Sequence, residues 1–320
     1  MKDLFDETKA MYELSMDDRA GWVLQATAEA KDWLERFSVI LGLSPSAGCG
    51  YAETVTLKRA AGMRPGPGAS DRPAWEGVVW DFRRVPGAVL DRPRAGQEIL
   101  CLLPPARDEV TDLESMRHVL LPLYLEALRM GGFPAHAALV ERNGRGVLLA
   151  GRGGIGKSTC CRRLPPPWRA LADDLALVIR DDSGYYRAHA LPTWSDLRAG
   201  SESTWDVRRS VPLEAIFFLE QREADEATPA GRGEAAVACR RSAMEVFWSV
   251  GPFMLRGDPM NIPTRAFENT VDFSLAIPAF RLRVSLTGRF WERIEEALEA
   301  PQALRGIPGR PAATIATIRG

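Results

Sequence analysis

Gly151-Arg152-Gly153-Gly154-Ile155-Gly156-Lys157-Ser158 has the glycine spacing and the Lys-Ser ending of a phosphate-binding loop, called the phosphate loop below. Glycines at this spacing let the backbone curl, so that successive N–H groups point at one anion. The lysine can reach terminal phosphates, and the serine hydroxyl can ligate Mg²⁺. Residues 146–150 read as a buried strand before the loop, and residues 158–164 as a helix after it. This order indicates a nucleoside triphosphate site rather than a glycine-rich surface turn.

The residues that would hold the nucleotide follow from the loop. Backbone N–H groups would cradle the phosphates, and the helix that follows adds its positive end. The expected nucleotide-binding residues are Gly151, Gly153, Gly154, Ile155, Gly156, Lys157, Ser158 and Thr159.

Two adjacent carboxylates, Asp173 and Asp174, end a predicted strand that begins at Arg169. Phosphoryl transfer needs a phosphate cradle, a metal, and a group that positions or deprotonates the acceptor. Successive side chains of a strand point to opposite faces, so the two carboxylates can have different roles. One could hold Mg²⁺ while the other orients an acceptor hydroxyl. The alternative is that one of them only caps a turn.

Length and composition limit the class of protein. The chain has 320 residues, more than the roughly 250–300 at which single cores stop growing, so we expect two domains or one domain with a large extension. Its net charge of −1 gives no electrostatic basis for binding nucleic acid or an anionic membrane. No apolar run approaches the roughly 20 residues of a membrane span, and Met-Lys-Asp-Leu-Phe-Asp is not a secretory start. We therefore expect a cytoplasmic protein.

The five cysteines show neither a disulfide framework nor zinc spacing. Cys160 and Cys161 directly follow the phosphate loop, and small thiols in such positions usually only pack.

The pattern of elements predicts three parts of the chain. Residues 1–110 form a small α+β domain, residues 111–300 a nucleotide-binding domain, and residues 301–320 a flexible tail. Strands in the first part are predicted at 12–16, 22–25, 54–58, 75–82 and 98–103. Thr27 is expected to cap a helix over residues 28–43.

Two hairpin signals predict a mixed sheet in the nucleotide-binding domain. Asn143-Gly144 joins two apolar runs, and Asp181-Asp182-Ser183-Gly184 joins two more. Hairpins argue against an all-parallel sheet, which is built from crossover connections. Helices are predicted at 112–130 with a break at Pro122, 241–255, 264–277 and 290–298, and strands at 212–220 and 280–286.

A family resemblance rests on four features in order. His136 comes first, then the strand Gly146-Val147-Leu148-Leu149, then the glycine-rich loop, then Leu171-Ala172-Asp173-Asp174. This order resembles the catalytic domain of HPr kinase/phosphorylase. The N-terminal part looks closer to relatives from peptide-maturation gene clusters, especially the SynChlorMet cassette protein and, more distantly, lasso-peptide kinases.

The resemblance implies a fold related to phosphoenolpyruvate carboxykinase and an ATP- and Mg²⁺-dependent kinase. Lys157 would contact the phosphates, and Ser158 would contact the metal. Asp173 would be the more metal-directed carboxylate, Asp174 the base, and His136 would lie beside that base. Without the resemblance, His136 reads as a core histidine bonded to backbone.

One region departs from the HPr enzymes. They carry Glu-Ile-Arg-Gly-Leu-Gly after the acidic pair, and this chain has Trp205-Asp206-Val207-Arg208-Arg209-Ser210 there. The difference argues against phosphorylase activity and against HPr as the substrate. Arg208 and Arg209 could clamp phosphate or lie in a solvated turn.

Three functional hypotheses remain. The first is a kinase that phosphorylates a Ser or Thr hydroxyl of a peptide or small protein in a peptide-maturation pathway. The second is an ATP-binding or ATP-hydrolysing regulator of a neighbouring peptide-modifying enzyme, without transfer to an acceptor. The third is a peptide-recognition module in which the nucleotide site is vestigial, and the intact loop argues against it.

Overall fold

The computed structural model describes residues 11–16, 20–46, 53–59, 89–91, 98–105, 108–250 and 261–300. The strand predicted at 75–82 and the tail predicted at 301–320 lie outside these residues. Within the described part of the chain, no helix is long and apolar enough to cross a membrane.

The N-terminal part is a six-stranded mixed sheet with one helix. Its strands are β1 (Met11–Met16), β2 (Ala20–Ala26), β3 (Ser44–Pro45), β4 (Glu53–Arg59), β5 (Val89–Asp91) and β6 (Glu98–Leu103), in the order β3-β1-β2-β4-β6-β5. The helix α1 (Lys31–Ile40) follows a 3-10 turn over Ala28–Ala30. The strands predicted at 12–16, 22–25, 54–58 and 98–103 are confirmed. The predicted cap is wrong, because the Thr27 hydroxyl makes no capping hydrogen bond and the α-helix begins later.

Two helices connect this sheet to the rest of the chain. They are α2 (Glu109–Val119), which Asp108 caps through the N–H of Thr111, and α3 (Leu121–Arg129). The predicted break is confirmed, because Pro122 occupies the first turn of α3, where its missing N–H costs no hydrogen bond. On the N-terminal side, Trp33 of α1 donates a hydrogen bond of 2.8 Å to the Ser115 hydroxyl of α2.

The second sheet has nine strands and is mixed, as predicted. Its strands are β7 (Phe133–Ala135), β8 (Ala137–Arg142), β9 (Arg145–Ala150), β10 (Arg169–Ala172), β11 (Ala176–Arg180), β12 (Tyr186–Ala190), β13 (Ser210–Gln221), β14 (Glu226–Pro229) and β15 (Ala279–Val284). The order is β10-β8-β9-β13-β12-β11-β7, and β15 pairs with both β13 and β14. Strands β9, β13 and β15 are parallel, whereas β8/β9 and β11/β12 are the two predicted hairpins.

The remaining helices are α4 (Lys157–Arg163), α5 (Trp194–Arg198), α6 (Arg232–Val250), α7 (Ile262–Ala276) and α8 (Phe290–Glu299). Helix α4 ends just before Pro165-Pro166-Pro167, as predicted. The prediction for α6 was wrong at its start, which lies at Arg232 rather than Arg241. Helix α5 and strand β14 were not predicted.

One apolar cluster joins the two sheets. It includes four fully buried residues, which are Phe37 of α1, Leu57 of β4, Tyr124 of α3 and Leu148 of β9. A second cluster lies between the other face of the nine-stranded sheet and α8, and contains Phe217 and Phe290. The division at residue 110 stays a prediction, since buried side chains on both sides of it pack into the first cluster.

Candidate functional site

The glycine-rich loop lies between β9 and α4, at the end of a strand buried at five of its six positions. Gly154 has a φ of +77° and Gly156 a φ of +106°, conformations that residues with a Cβ rarely adopt. Gln221, at the end of β13, donates a hydrogen bond of 3.3 Å to the carbonyl of Ile155. The loop is therefore held by the neighbouring parallel strand as well as by its own backbone.

The outer face of the loop is open. A Cβ built on Gly153 or Gly154 would meet no atom within 4 Å. Nothing described in the fold covers the backbone there, so the loop leaves room for a phosphate group to approach its N–H groups.

Lys157 turns back across the loop into the site. Only 6% of the residue is exposed, and its Nζ donates a hydrogen bond of 2.9 Å to the carbonyl of Gly151. The same Nζ lies 2.9 Å from Nε2 of His136. Burial lowers the pKa of Lys157, and the nearby carboxylates of Asp174 and Glu245 oppose that shift.

His136 occupies the break between β7 and β8. The chain before it pairs with β11, and the chain after it pairs with β9 and β10. Its Nε2 lies 3.0 Å from Oδ1 of Asp174, and its Nδ1 lies 2.6 Å from Oε2 of Glu245. The expectation of a core histidine bonded to backbone is thus wrong for His136. It fits the other two histidines, since His118 and His189 direct Nδ1 to backbone carbonyls.

The contact between His136 and Asp174 shifts both groups toward their charged forms. The hydrogen bond to Asp174 raises the pKa of His136, against the desolvation that lowers it. The same bond lowers the pKa of Asp174, and Lys157 and Arg117 add to this effect. Asp174 is therefore an ionised carboxylate at neutral pH.

Asp173 and Asp174 both lie in the turn between β10 and β11, because β10 ends at Ala172. The two side chains have different partners. Asp173 accepts a hydrogen bond from the Thr193 hydroxyl, whereas Asp174 contacts His136. The two carboxylates thus face different partners, although they lie in a turn and not at alternating positions of a strand. Their different roles stay a prediction.

Helix α5 borders the acidic pair. Thr193, at its N-terminus, is only 2% exposed. Asp196 in its first turn lies close enough to Asp173 and Asp174 for their charges to add to the desolvation that raises its pKa. From the sequence alone, residues 191–194, which include Thr193, could line an acceptor cleft or merely form an apolar loop. No sequence signal marked Asp196.

Glu245 contacts His136, although no sequence pattern predicted it as a site residue. It lies on α6, 109 residues from His136, and its side chain is 39% exposed. No local motif surrounds it. Only the packing of α6 against β7 brings it to the histidine.

The residues of this site fall within a match to a known protein family. A family model, SynChlorMet cassette protein ScmC, matches residues 99–299. The chain belongs to the ScmC family. The match covers the loop, His136, the acidic pair and Glu245. No curated protein matched the sequence. The predicted likeness to the SynChlorMet cassette protein is confirmed over residues 99–299. The match does not extend over residues 1–98, where the likeness was expected, and the relationship to HPr kinase stays a prediction.

A magnesium site in this ScmC-family chain would need oxygen atoms from a bound phosphate. Among the described residues, no group of three His, Cys, Asp or Glu side chains could hold a metal ion. Mg²⁺ commonly binds through one or two protein oxygens together with substrate phosphates. Asp173, fixed by Thr193, and the half-buried Ser158 on α4 fit that pattern.

Other residues singled out in the sequence have structural partners. Arg209 pairs with the buried Glu141, and Arg208 donates a hydrogen bond to the Ser44 hydroxyl in the N-terminal sheet. Burial raises the pKa of Cys160 to about 11 and that of Cys161 to about 12, so both remain thiols at neutral pH. The packing role expected of the two cysteines agrees with these surroundings.

Proposed function

We propose that this ScmC-family protein is an ATP- and Mg²⁺-dependent kinase that phosphorylates a Ser or Thr hydroxyl of a peptide or small protein. One observation carries the proposal. Lys157, the last residue before the loop serine, contacts His136, and the same His136 nitrogen contacts Asp174. A phosphate-directed lysine and an ionised carboxylate therefore share one histidine.

The chain's own residues supply the positioning that phosphoryl transfer requires. The open backbone of the loop and the Lys157 ammonium would hold the β- and γ-phosphates of ATP. Mg²⁺, held by Ser158 and Asp173 together with phosphate oxygens, would neutralise part of the phosphate charge.

Asp174 is the proposed base. Its side chain is 44% exposed, so an acceptor hydroxyl can reach it, and its lowered pKa keeps it ionised. In the transfer, the acceptor oxygen forms a bond to the γ-phosphorus. The bond from that phosphorus to the bridging oxygen breaks, ADP leaves, and the hydroxyl proton passes to Asp174. His136 keeps the carboxylate oriented by its hydrogen bond.

The family name describes a cassette protein, which suggests a gene-cluster context. The peptide acceptor is proposed from the resemblance to relatives from peptide-maturation gene clusters. We propose that the protein acts in the cytoplasm on a short precursor peptide encoded beside it, together with neighbouring peptide-modifying enzymes.

The test is incubation of the purified full chain with Mg·ATP and that precursor peptide, followed by intact-mass measurement of the peptide. The expected result is the mass of one added phosphate, lost in Lys157→Ala and in Asp174→Asn. Asp272→Asn is the matched control, because Asp272 pairs only loosely with Arg180 at 3.9 Å on an exposed surface. ATP consumption without a modified peptide would overturn the kinase and favour the regulatory hypothesis.

A further inference from the structure

Glu245 contacts the side of His136 that faces away from the phosphate loop. Its Oε2 lies 2.6 Å from Nδ1, while Lys157 and Asp174 both contact Nε2. The ring is thus fixed at both nitrogens. Glu245 is itself on the central part of α6, whose neighbouring residues Met244, Val246 and Phe247 are buried in the apolar cluster. The packing of these neighbours holds the backbone of Glu245 in place.

We propose that Glu245 is a positioning residue, which holds the His136 imidazole so that Nε2 faces both the loop lysine and the catalytic carboxylate. The contact itself is independent of what the protein does. Its effect on turnover rests on the proposed kinase function.

The proton positions on the ring support this role. A carboxylate only accepts hydrogen bonds, so the Glu245 contact places a proton on Nδ1. In the neutral ring, Nε2 then has a free lone pair that can accept from the Lys157 ammonium. In the protonated ring, Nε2–H donates to Asp174. Without Glu245, the ring could carry its single proton on either nitrogen, and it could also rotate.

The charges around the ring set the balance between these two states. Asp174 and Glu245 favour the protonated ring, and Lys157 opposes it. Arg117 of α2 acts on the same cluster by stabilising the ionised form of Asp174. Glu245 contacts Nδ1 in both states, so Nε2 remains the ring nitrogen that faces Lys157 and Asp174.

The first arm of the test measures the histidine directly. The chain has three histidines, so imidazole NMR signals can be followed one by one against pH, and His136→Gln assigns the site. We expect Glu245→Gln to move the titration midpoint of His136 to lower pH, because an anionic neighbour is replaced by a neutral one. The midpoints of His118 and His189 should stay where they are. An unchanged His136 midpoint overturns the proposal.

The second arm measures turnover with the precursor peptide. We expect Glu245→Gln to lower kcat by about 10-fold to 100-fold, the range seen when the carboxylate partner of a metal-bound histidine is removed. The KM for ATP should change little, and the alkaline limb of the pH–rate profile should move to lower pH. A wild-type kcat and profile in the variant would contradict the role in turnover.

Glu234→Gln is the matched control for both arms. Glu234 lies on the same helix, but it pairs with Arg281 at the surface. Both the His136 midpoint and kcat should match the wild type in this variant. The two arms also separate the two proposals. If the wild-type protein transfers no phosphate, the kinase proposal is contradicted. The NMR midpoint of His136 would still show whether Glu245 acts on the ring.

Discussion

The contact between His136 and Asp174 sets the charge of both side chains. Neither residue is fully buried, with 22% and 44% of the two side chains exposed. Water therefore screens part of the attraction between the two charges, so the pair adds little stability. Its main effect is to orient the two side chains. Lys157, which is more deeply buried, links the pair to the glycine-rich loop.

The pair should make the stability of the fold depend on pH. The lowered pKa of Asp174 gives stability above its ordinary value of 3.8, which is lost as pH falls through the folded pKa. The raised pKa of His136 gives stability that is complete below its ordinary value of 6.5. That contribution is lost as pH rises through the folded pKa. The two contributions coexist between these values.

We therefore expect the Tm of Asp174→Asn to fall furthest below that of the wild type at pH 5 to 6. The difference should narrow above the raised pKa of His136, where the histidine loses its charge. Thermal unfolding followed by circular dichroism from pH 5 to pH 9 gives this difference. A gap of constant size across that range would contradict the charge pairing.

Local signals explain which elements could be predicted from the sequence. Asn143-Gly144 and the three prolines after α4 act within a few residues, so the hairpin and the helix end were predicted. The contact between Glu245 and His136 depends on the packing of α6 beside β7, which no local pattern encodes. Arg209 was likewise ambiguous, because its partner Glu141 lies 68 residues away.

Helix α5 positions Thr193 against Asp173, which is the element-scale feature that a substitution can test. Thr193→Val keeps the side-chain shape and removes the hydroxyl. Under the proposed function, we expect the Mg²⁺ concentration that half-saturates ATP binding to rise about tenfold, as when a partner of a metal ligand is lost. Calorimetric titrations with ATP at several Mg²⁺ concentrations measure it.

Thr270→Val is the control, because Thr270 is also buried and, in the described part of the chain, its hydroxyl bonds to carbonyls of its own helix, such as that of Ala266 at 2.8 Å. Both variants lose a buried hydrogen bond and some stability. An equal Mg²⁺ requirement in the two would rule out a metal-orienting role for Thr193.

Across the whole molecule, the two sheets share one apolar cluster, and the site lies on the nine-stranded sheet. The parallel strands β9 and β13 meet the loop at their carboxyl ends, where ligands of open α/β sheets usually bind. The elements that bring in His136, the acidic pair and Glu245 come from separate parts of the chain. The family match from residue 99 includes all of them.

Isothermal titration calorimetry with Mg·ATP tests directly whether the loop and Lys157 hold the nucleotide. We expect the wild type and Lys31→Ala to bind alike, since within the described residues Lys31 pairs with Glu35 at the surface. Lys157→Ala should bind about tenfold more weakly or worse, because a hydrogen bond to a charged group contributes about 1.5–3 kcal/mol. Equal affinities for Lys157→Ala and the wild type, or no binding by the wild type, would contradict the account.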